Sequence, residues 1–318
     1  MAASTSKKKT ASKTASKPGT LTSAKPGRVE VLKTYKLYIG GAFVRTESGR
    51  YLKLKNAKGE LIANVCHASR KDFRNAVTAA GKALPGWSGK SAFNRSQILY
   101  RMAEMLEQRA PLLVDEMVLM GITRAAARKE VDLCIDRTVY FAGWCDKYSQ
   151  IFSSVNPVAS SHFNFTLPEP MGIVAVVAGP DTALLSLLSN LLPVLAGGNT
   201  AVVVAPEAYP LSSVFLSEVL NDSDVPGGVV NLLTGMHGEL LPHLAGHMGV
   251  HALIVDACGD GTAAALREQC AENLKRLFLR STDWTDPESQ HPYLIMDTQE
   301  LKTTWHPVEQ ISGAGSGY

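Results

Sequence analysis

The spacing of apolar positions divides the chain into three rhythms. Up to about residue 66 it alternates. Tyr35-Lys-Leu-Tyr-Ile39 runs into Gly40-Gly41 and resumes as Ala42-Phe-Val44, which predicts a hairpin, and residues 51–66 fit a second strand pair. From Ser69 the period turns helical. Ser69 and Asp72 form an approximate capping box, Phe73, Val77, Ala80 and Leu84 share one face, and Pro85-Gly86 is expected to end the helix. Further helices are predicted over about 92–109, 112–120 and 124–148. His162-Phe-Asn-Phe-Thr166 alternates again and is expected to stop at Pro168 and Pro170. From Gly172 the third rhythm is strand–helix–strand, with strands at 173–177, 200–204, 229–233 and 253–255 and helices at 184–195, 211–220, 237–246 and 262–274. Strands that are apolar without interruption, separated by helices, imply a parallel sheet covered on both faces. The fold class is therefore α/β, with a doubly wound parallel sheet, an architecture that names no ligand by itself.

Composition adds little to that outline. Of 318 residues 45% are hydrophobic, enough for a substantial core, and no apolar run is long enough to span a bilayer. Charge changes the picture more. Lys7, Lys8, Lys9, Lys13, Lys17 and Lys25 fall within residues 1–27, where there is no acid; setting them apart leaves 26 basic against 29 acidic residues, a net of −3. The formal +3 thus belongs to a Lys/Ser/Thr/Ala-rich tail over 1–30, and the mildly acidic body is not expected to bind nucleic acid. The tail has no apolar core of a secretory signal and is neither arginine-rich nor amphipathic. It is expected to be solvated, or alternatively to dock on an acidic surface. Five scattered cysteines (Cys66, Cys134, Cys145, Cys258, Cys270) form no C-x-x-C and no metal-binding spacing, as expected of reduced thiols in the cytoplasm, and no membrane association is expected.

Collinear motifs over residues 35–280 resemble the aldehyde dehydrogenase superfamily. Leu37-Tyr-Ile-Gly-Gly41 is similar to its opening hairpin, and Trp87 with Asn94-Arg95 and Met102–Glu107 to its first helices. Asp132–Asp136 with Tyr140-Phe-Ala-Gly-Trp144 resembles the helix before the oligomerisation hairpin. Glu169-Pro-Met-Gly-Ile-Val174 resembles the entry to the cofactor domain. Pro193-Val-Leu-Ala-Gly-Gly-Asn-Thr200 is the most specific match, followed in order by Pro226–Gly235 and Asn273-Leu-Lys275. The resemblance implies a Rossmann-like cofactor domain over 31–280 with N-terminal helices and an oligomerisation hairpin at about 155–170. Residues 281–318 would be a short link and an oligomerisation strand at about 300–306, since Leu301-Lys-Thr-Thr-Trp305 is similar to the family's closing strand. The catalytic domain that normally intervenes would be missing.

The family's chemistry needs a thiolate nucleophile, donors for an oxyanion, a general base and a nicotinamide cofactor. Where the resemblance places the oxyanion amide, this chain has Asp181, an acceptor that would repel an oxyanion and is expected instead to cap the helix from Ala183. The ribose-binding element falls on Val204-Ala-Pro-Glu207. Its lysine has become Val204, while Glu207 could still take ribose hydroxyls or be an ordinary loop carboxylate. The pyrophosphate turn reads Ala257-Cys258-Gly259-Asp260-Gly261. Glu207, Gly235, Cys258 and Gly259 are the cofactor-binding candidates, but Asp256 and Asp260 oppose a pyrophosphate and predict weak or absent binding of NAD or NADP. A thiolate at Cys258 would be stabilised by the helix start, yet it would face phosphate, not aldehyde. The general-base position holds Arg280, which cannot accept a proton at neutral pH. The nucleophile would fall near Ala314, and no cysteine follows Cys270. No catalytic residue is thus expected. The leading expectation is a pseudoenzyme subunit assembling with a full-length aldehyde dehydrogenase or with itself; the alternative is an NAD(P)-dependent oxidoreductase acting on aldehydes.

Overall fold

The computed structural model describes residues 32–56 and 58–308, so the lysine-rich tail and the position near Ala314 lie outside the described residues. Strand β1 (Thr34–Tyr35) pairs in parallel with β5 (Leu61–Cys66), which pairs antiparallel with β4 (Tyr51–Lys55) in a small sheet. Between them in sequence, β2 (Leu37–Ile39) and β3 (Ala42–Val44) form the expected hairpin. Its turn needs φ of 64° at Gly40 and 84° at Gly41, which glycine adopts without steric cost. A Cβ on Gly41 would also lie 2.8 Å from the Gly227 Cα, so the hairpin packs backbone to backbone against that loop.

Helix α1 (Arg70–Ser88) starts at the capping box read from the sequence: the Ser69 side chain accepts from the Asp72 N–H and Asp72 accepts from the Ser69 N–H. The helix runs past Pro85-Gly86 to a cap at Gly89, because one missing donor near a helix end removes only one bond. Helix α2 (Ala92–Leu119) likewise carries Pro111 inside one continuous helix where two were expected. Helix α3 (Arg124–Trp144) is followed by the short α4 (Tyr148–Phe152).

Strand β6 (Ser154–Asn156) pairs with β7 (His162–Pro170), which continues through both prolines that were expected to stop it. Only residues 164–166 of β7 have a β6 partner, so the prolines lie where one edge of the strand is open, a place that tolerates a missing N–H.

The third rhythm then unfolds as read through β8 (Ile173–Val177), α5 (Leu185–Ala196), β9 (Thr200–Val204), α6 (Pro210–Asp222), β10 (Val230–Leu233), α7 (His237–Gly246), β11 (Ala252–Asp256) and α8 (Asp260–Ala271), and a further strand that was not expected, β12 (Arg276–Arg280), follows. A 310 turn at Pro287–Ser289 and α9 (Tyr293–Met296) lead to β13 (Gln299–Pro307), which pairs antiparallel with β7 along its whole length.

The main sheet has the order β12-β11-β8-β9-β10-β2-β3, parallel except for the appended hairpin. Alternate residues of β8 serve its two faces. Val174 and Val176 pack with α2, α3, α5 and α6, while Ile173, Ala175 and Val177 pack with α1, α7 and α8. Counting from β8, the five parallel strands run 3-2-1-4-5, so the direction of winding reverses between β8 and β11, and a crevice opens at their carboxyl ends. Among the described residues no helix is long and apolar enough to cross a membrane.

Candidate functional site

Loops from β8, β11 and β12 converge on this crevice. Asp256, the last residue of β11 and 5% exposed, accepts through Oδ2 from Ser186 Oγ and from the Trp284 indole N–H, both at 2.5 Å. Ser186 Oγ in turn accepts from the Gly179 N–H at 2.9 Å, and a Cβ on Gly179 would stand 3.0 Å from Asp256 Oδ2. The indole is buried, and the guanidinium of Arg137, itself 3% exposed, donates to the Trp284 carbonyl at 3.0 Å and to Ser189 Oγ at 2.8 Å. Burial pushes the Asp256 carboxyl above its ordinary range; Ser186, Trp284 and Arg280 pull it down, and the nearby charge of Asp181 pushes it up again. What remains open is a cavity of about 340 Å³, walled by Asp181, Thr182, Asp256, Ser281, Thr282 and Asp283. Three carboxylates and several hydroxyls make it an acidic, hydrogen-bonding space.

Arg280 lies beside Asp256 in the β11–β12 register. Its guanidinium donates to Asn190 Oδ1 at 2.5 Å and to Asp297 Oδ2 at 2.6 Å. Burial lowers its pKa and Asp297 raises it, yet a guanidinium remains a cation across the accessible pH range. The segment from 281 to 298 is fastened at its far end as well, where Asn199 donates to the Thr298 carbonyl at 3.0 Å and Arg276 to the Gln299 carbonyl at 2.5 Å.

A second concavity, about 510 Å³, opens between α7 and α8 and is lined by His237, Leu241, Val255, Cys258, Gly259 and Ala265 among others. Gly259 caps α8, and a Cβ on Gly259 or Gly261 would meet nothing within 4 Å, so backbone N–H groups there are approachable. Ala257, at φ 55°, makes the tight turn into this helix.

The fold has known counterparts. The sequence model described as the aldehyde dehydrogenase family matches residues 43–281. The chain belongs to that family. Human retinal dehydrogenase 2 is 30% identical over 78% of this chain and 48% of its own length. The NAD+ complex of an aldehyde dehydrogenase from Bacillus cereus superposes with a TM-score of 0.74 at 25% identity, over 78% of this chain and 50% of that one. PnpE from Pseudomonas sp. WBC-3 does so with the same TM-score at 30% identity and the same coverage. The chain spans about half the length, or less, of the curated relatives it matches.

Against the aldehyde dehydrogenase resemblance, the candidate residues separate into two groups. Asp181 lines the crevice and Arg280 lies beside it next to Asp256; Cys258 and Gly259 line the α7–α8 cleft and Glu207 lies at its edge against His237. Asp181 is exposed and does not cap α5 as expected. Glu130 of α3 takes that role, accepting from the Leu184 and Leu185 N–H groups at 2.7 and 3.0 Å, with Thr182 Oγ1 accepting from the Ser186 N–H at 2.9 Å. The exposed Glu207 accepts from the His237 N–H and so caps α7 beside the cleft. Gly235 is buried; a Cβ there would press on His67 at 3.2 Å, so the residue serves packing. Val204, where a lysine was expected from the resemblance, is buried in β9.

Cys258 also departs from expectation. It is half-buried, and desolvation with Asp260 raises its thiol pKa more than Arg267 lowers it, so no thiolate is favoured there. Trp284, Ser186 and Glu130 were not singled out from the sequence. The one available signal was an isolated tryptophan within the polar run Thr282-Asp-Trp-Thr-Asp286.

Proposed function

We propose that this chain is a non-catalytic, aldehyde-dehydrogenase-like subunit that assembles with a full-length aldehyde dehydrogenase or with further copies of itself. The observation that carries the proposal is Arg280. At the position where the resemblance puts the general base there is a guanidinium locked to Asp297 and Asn190. Trp284 and Asp256 add to this by filling the crevice with an indole and a carboxylate. A dinucleotide does not fit the residues present along its whole length. The α7–α8 cleft has glycines and a helix N-terminus to receive one end, but Asp256, Asp181 and Asp283 repel the phosphates and close the other.

The assembly part of the proposal rests on the sheet β13-β7-β6. Val155, Phe163 and Leu167 are exposed on one of its faces, Leu301 and Trp305 (56% exposed) on the other. Exposed apolar side chains on a sheet with open edges call for a covering partner. Five cysteines, four of them buried and none in a disulfide, favour a reducing compartment such as the cytoplasm. Co-purification from the native source tests the proposal: an aldehyde dehydrogenase is expected in the same complex, and recovery of this chain only as a monomer opposes it.

A second reading, an NAD(P)-linked oxidoreductase for aldehydes, is favoured by the α7–α8 cleft alone. Calorimetric titration with NAD and NADP separates the two. Heat at roughly millimolar cofactor supports the oxidoreductase reading, and its absence removes it.

A further inference from the structure

A third and larger concavity, about 790 Å³, lies between the start of α1 and the end of α7 and shares only Pro242 with the α7–α8 cleft. Its cations are Arg70, Lys71 and Arg74, and no carboxylate lines it. Their placement works against the helix that carries them. Arg70 and Lys71 are the first two residues of α1, where the positive end of the helix dipole disfavours cations. Arg70 and Arg74, four residues apart on the same face, repel one another. Lys71 is neutralised by Glu47 at 2.8 Å, but Arg70 and Arg74 have no ion-pair partner among the described residues. The acid in that turn, Asp72, is turned inward to Thr46 and Ser69 and neutralises neither.

The other wall would normally repel an anion, since it is the carbonyl end of α7. Here the buried Lys275 donates to the carbonyls of Leu244, Ala245 and His247 at 2.8, 2.6 and 3.0 Å and cancels that field. The rest of the lining combines the apolar Phe73, Pro242 and Met248 with Gly246 and the imidazoles of His243 and His247. Phe73 is buried with its ring edge-on to His247 at 5.3 Å, and Met248 is 78% exposed. Acidic residues at 70 and 71 would serve the helix better, so stability does not account for this arrangement.

We propose that this pocket binds a small amphiphilic anion, a carboxylate carried on an apolar chain or ring. Its charge lies between Arg70 and Arg74 and its body over the exposed Pro242 and Met248. The volume suits a ligand of that size. The site is independent of the cofactor regions and of the proposed assembly.

Calorimetric titration of the full chain with decanoate, decanol and acetate tests it. Decanoate is expected to bind with a dissociation constant on the order of 100 µM, and decanol and acetate far more weakly. The double variant Arg70→Glu/Arg74→Glu is expected to bind decanoate at least about tenfold more weakly. Free of ligand, the same variant should melt about 1–3 °C higher, because the wrong-sign charges are gone, which also shows that it is folded. No decanoate heat at roughly millimolar ligand would overturn the proposal, as would equal affinity in the variant or equally tight binding of decanol.

Discussion

Ala257 holds a backbone conformation that glycine adopts freely and that costs a residue with a Cβ about 1 kcal/mol or more. It is the first residue of the turn into α8, and nothing in the adjoining cleft requires its methyl group. Ala257→Gly is expected to stabilise the protein by about 1 kcal/mol in urea denaturation; a loss of stability would mean that the turn is not strained. Asp72 makes a prediction of a different kind. Burial acts to raise its carboxyl pKa, but hydrogen bonds from Thr46, the Glu47 N–H and Ser69 outweigh it, and the net position is below the ordinary 3.8. The folded state therefore holds the ionised form more tightly than the unfolded chain does. Its contribution is present above pH 3.8 and lost as pH falls through the lower, folded value. Asp72→Asn should cost about 2 kcal/mol at neutral pH, and the difference from wild type should shrink below pH 3.8. A constant difference across that range would contradict the ionisation argument.

At the scale of elements, the legible parts were those whose pattern is set by neighbours in sequence. The short apolar, β-branched runs of β8 and β9 announced buried strands, and Ser69 with Asp72 announced the start of α1. What escaped were features settled by distant partners. Strand β12, Arg-Leu-Phe-Leu-Arg, has charged ends that are intelligible only once Asp297 and Gln299 are beside them. The continuity of α2 across Pro111 comes from tertiary packing that outweighs a single lost bond.

The candidate site divides in the same way. Arg280 and the glycine turn before α8 could be placed by position from the resemblance, whereas the Trp284–Asp256 closure joins residues 28 apart and the α5 cap joins residues 54 apart. The cap gives a paired prediction. Glu130→Ala should lower stability by about 1–2 kcal/mol, because it strips acceptors from two amide groups at the start of α5. Asp181→Ala should change it by less than about 0.5 kcal/mol. The reverse ranking would restore the cap first expected from the sequence.

For the whole molecule, the segment 281–298 carries most of the meaning. It leaves β12, closes the crevice with Trp284, is held by Arg137, Asn199 and Arg276, and delivers the chain to β13 for pairing with β7. A short, well-fastened segment thus joins the main parallel sheet directly to the β13-β7-β6 sheet. Apolar side chains on both faces of β13-β7-β6 are exposed, and these are what the proposed partner subunit would cover. The most direct measurement is the native mass of this chain after co-expression with a full-length aldehyde dehydrogenase from the same source. The account predicts a mixed complex containing both chains. Two separate species, with this chain a monomer, would contradict it.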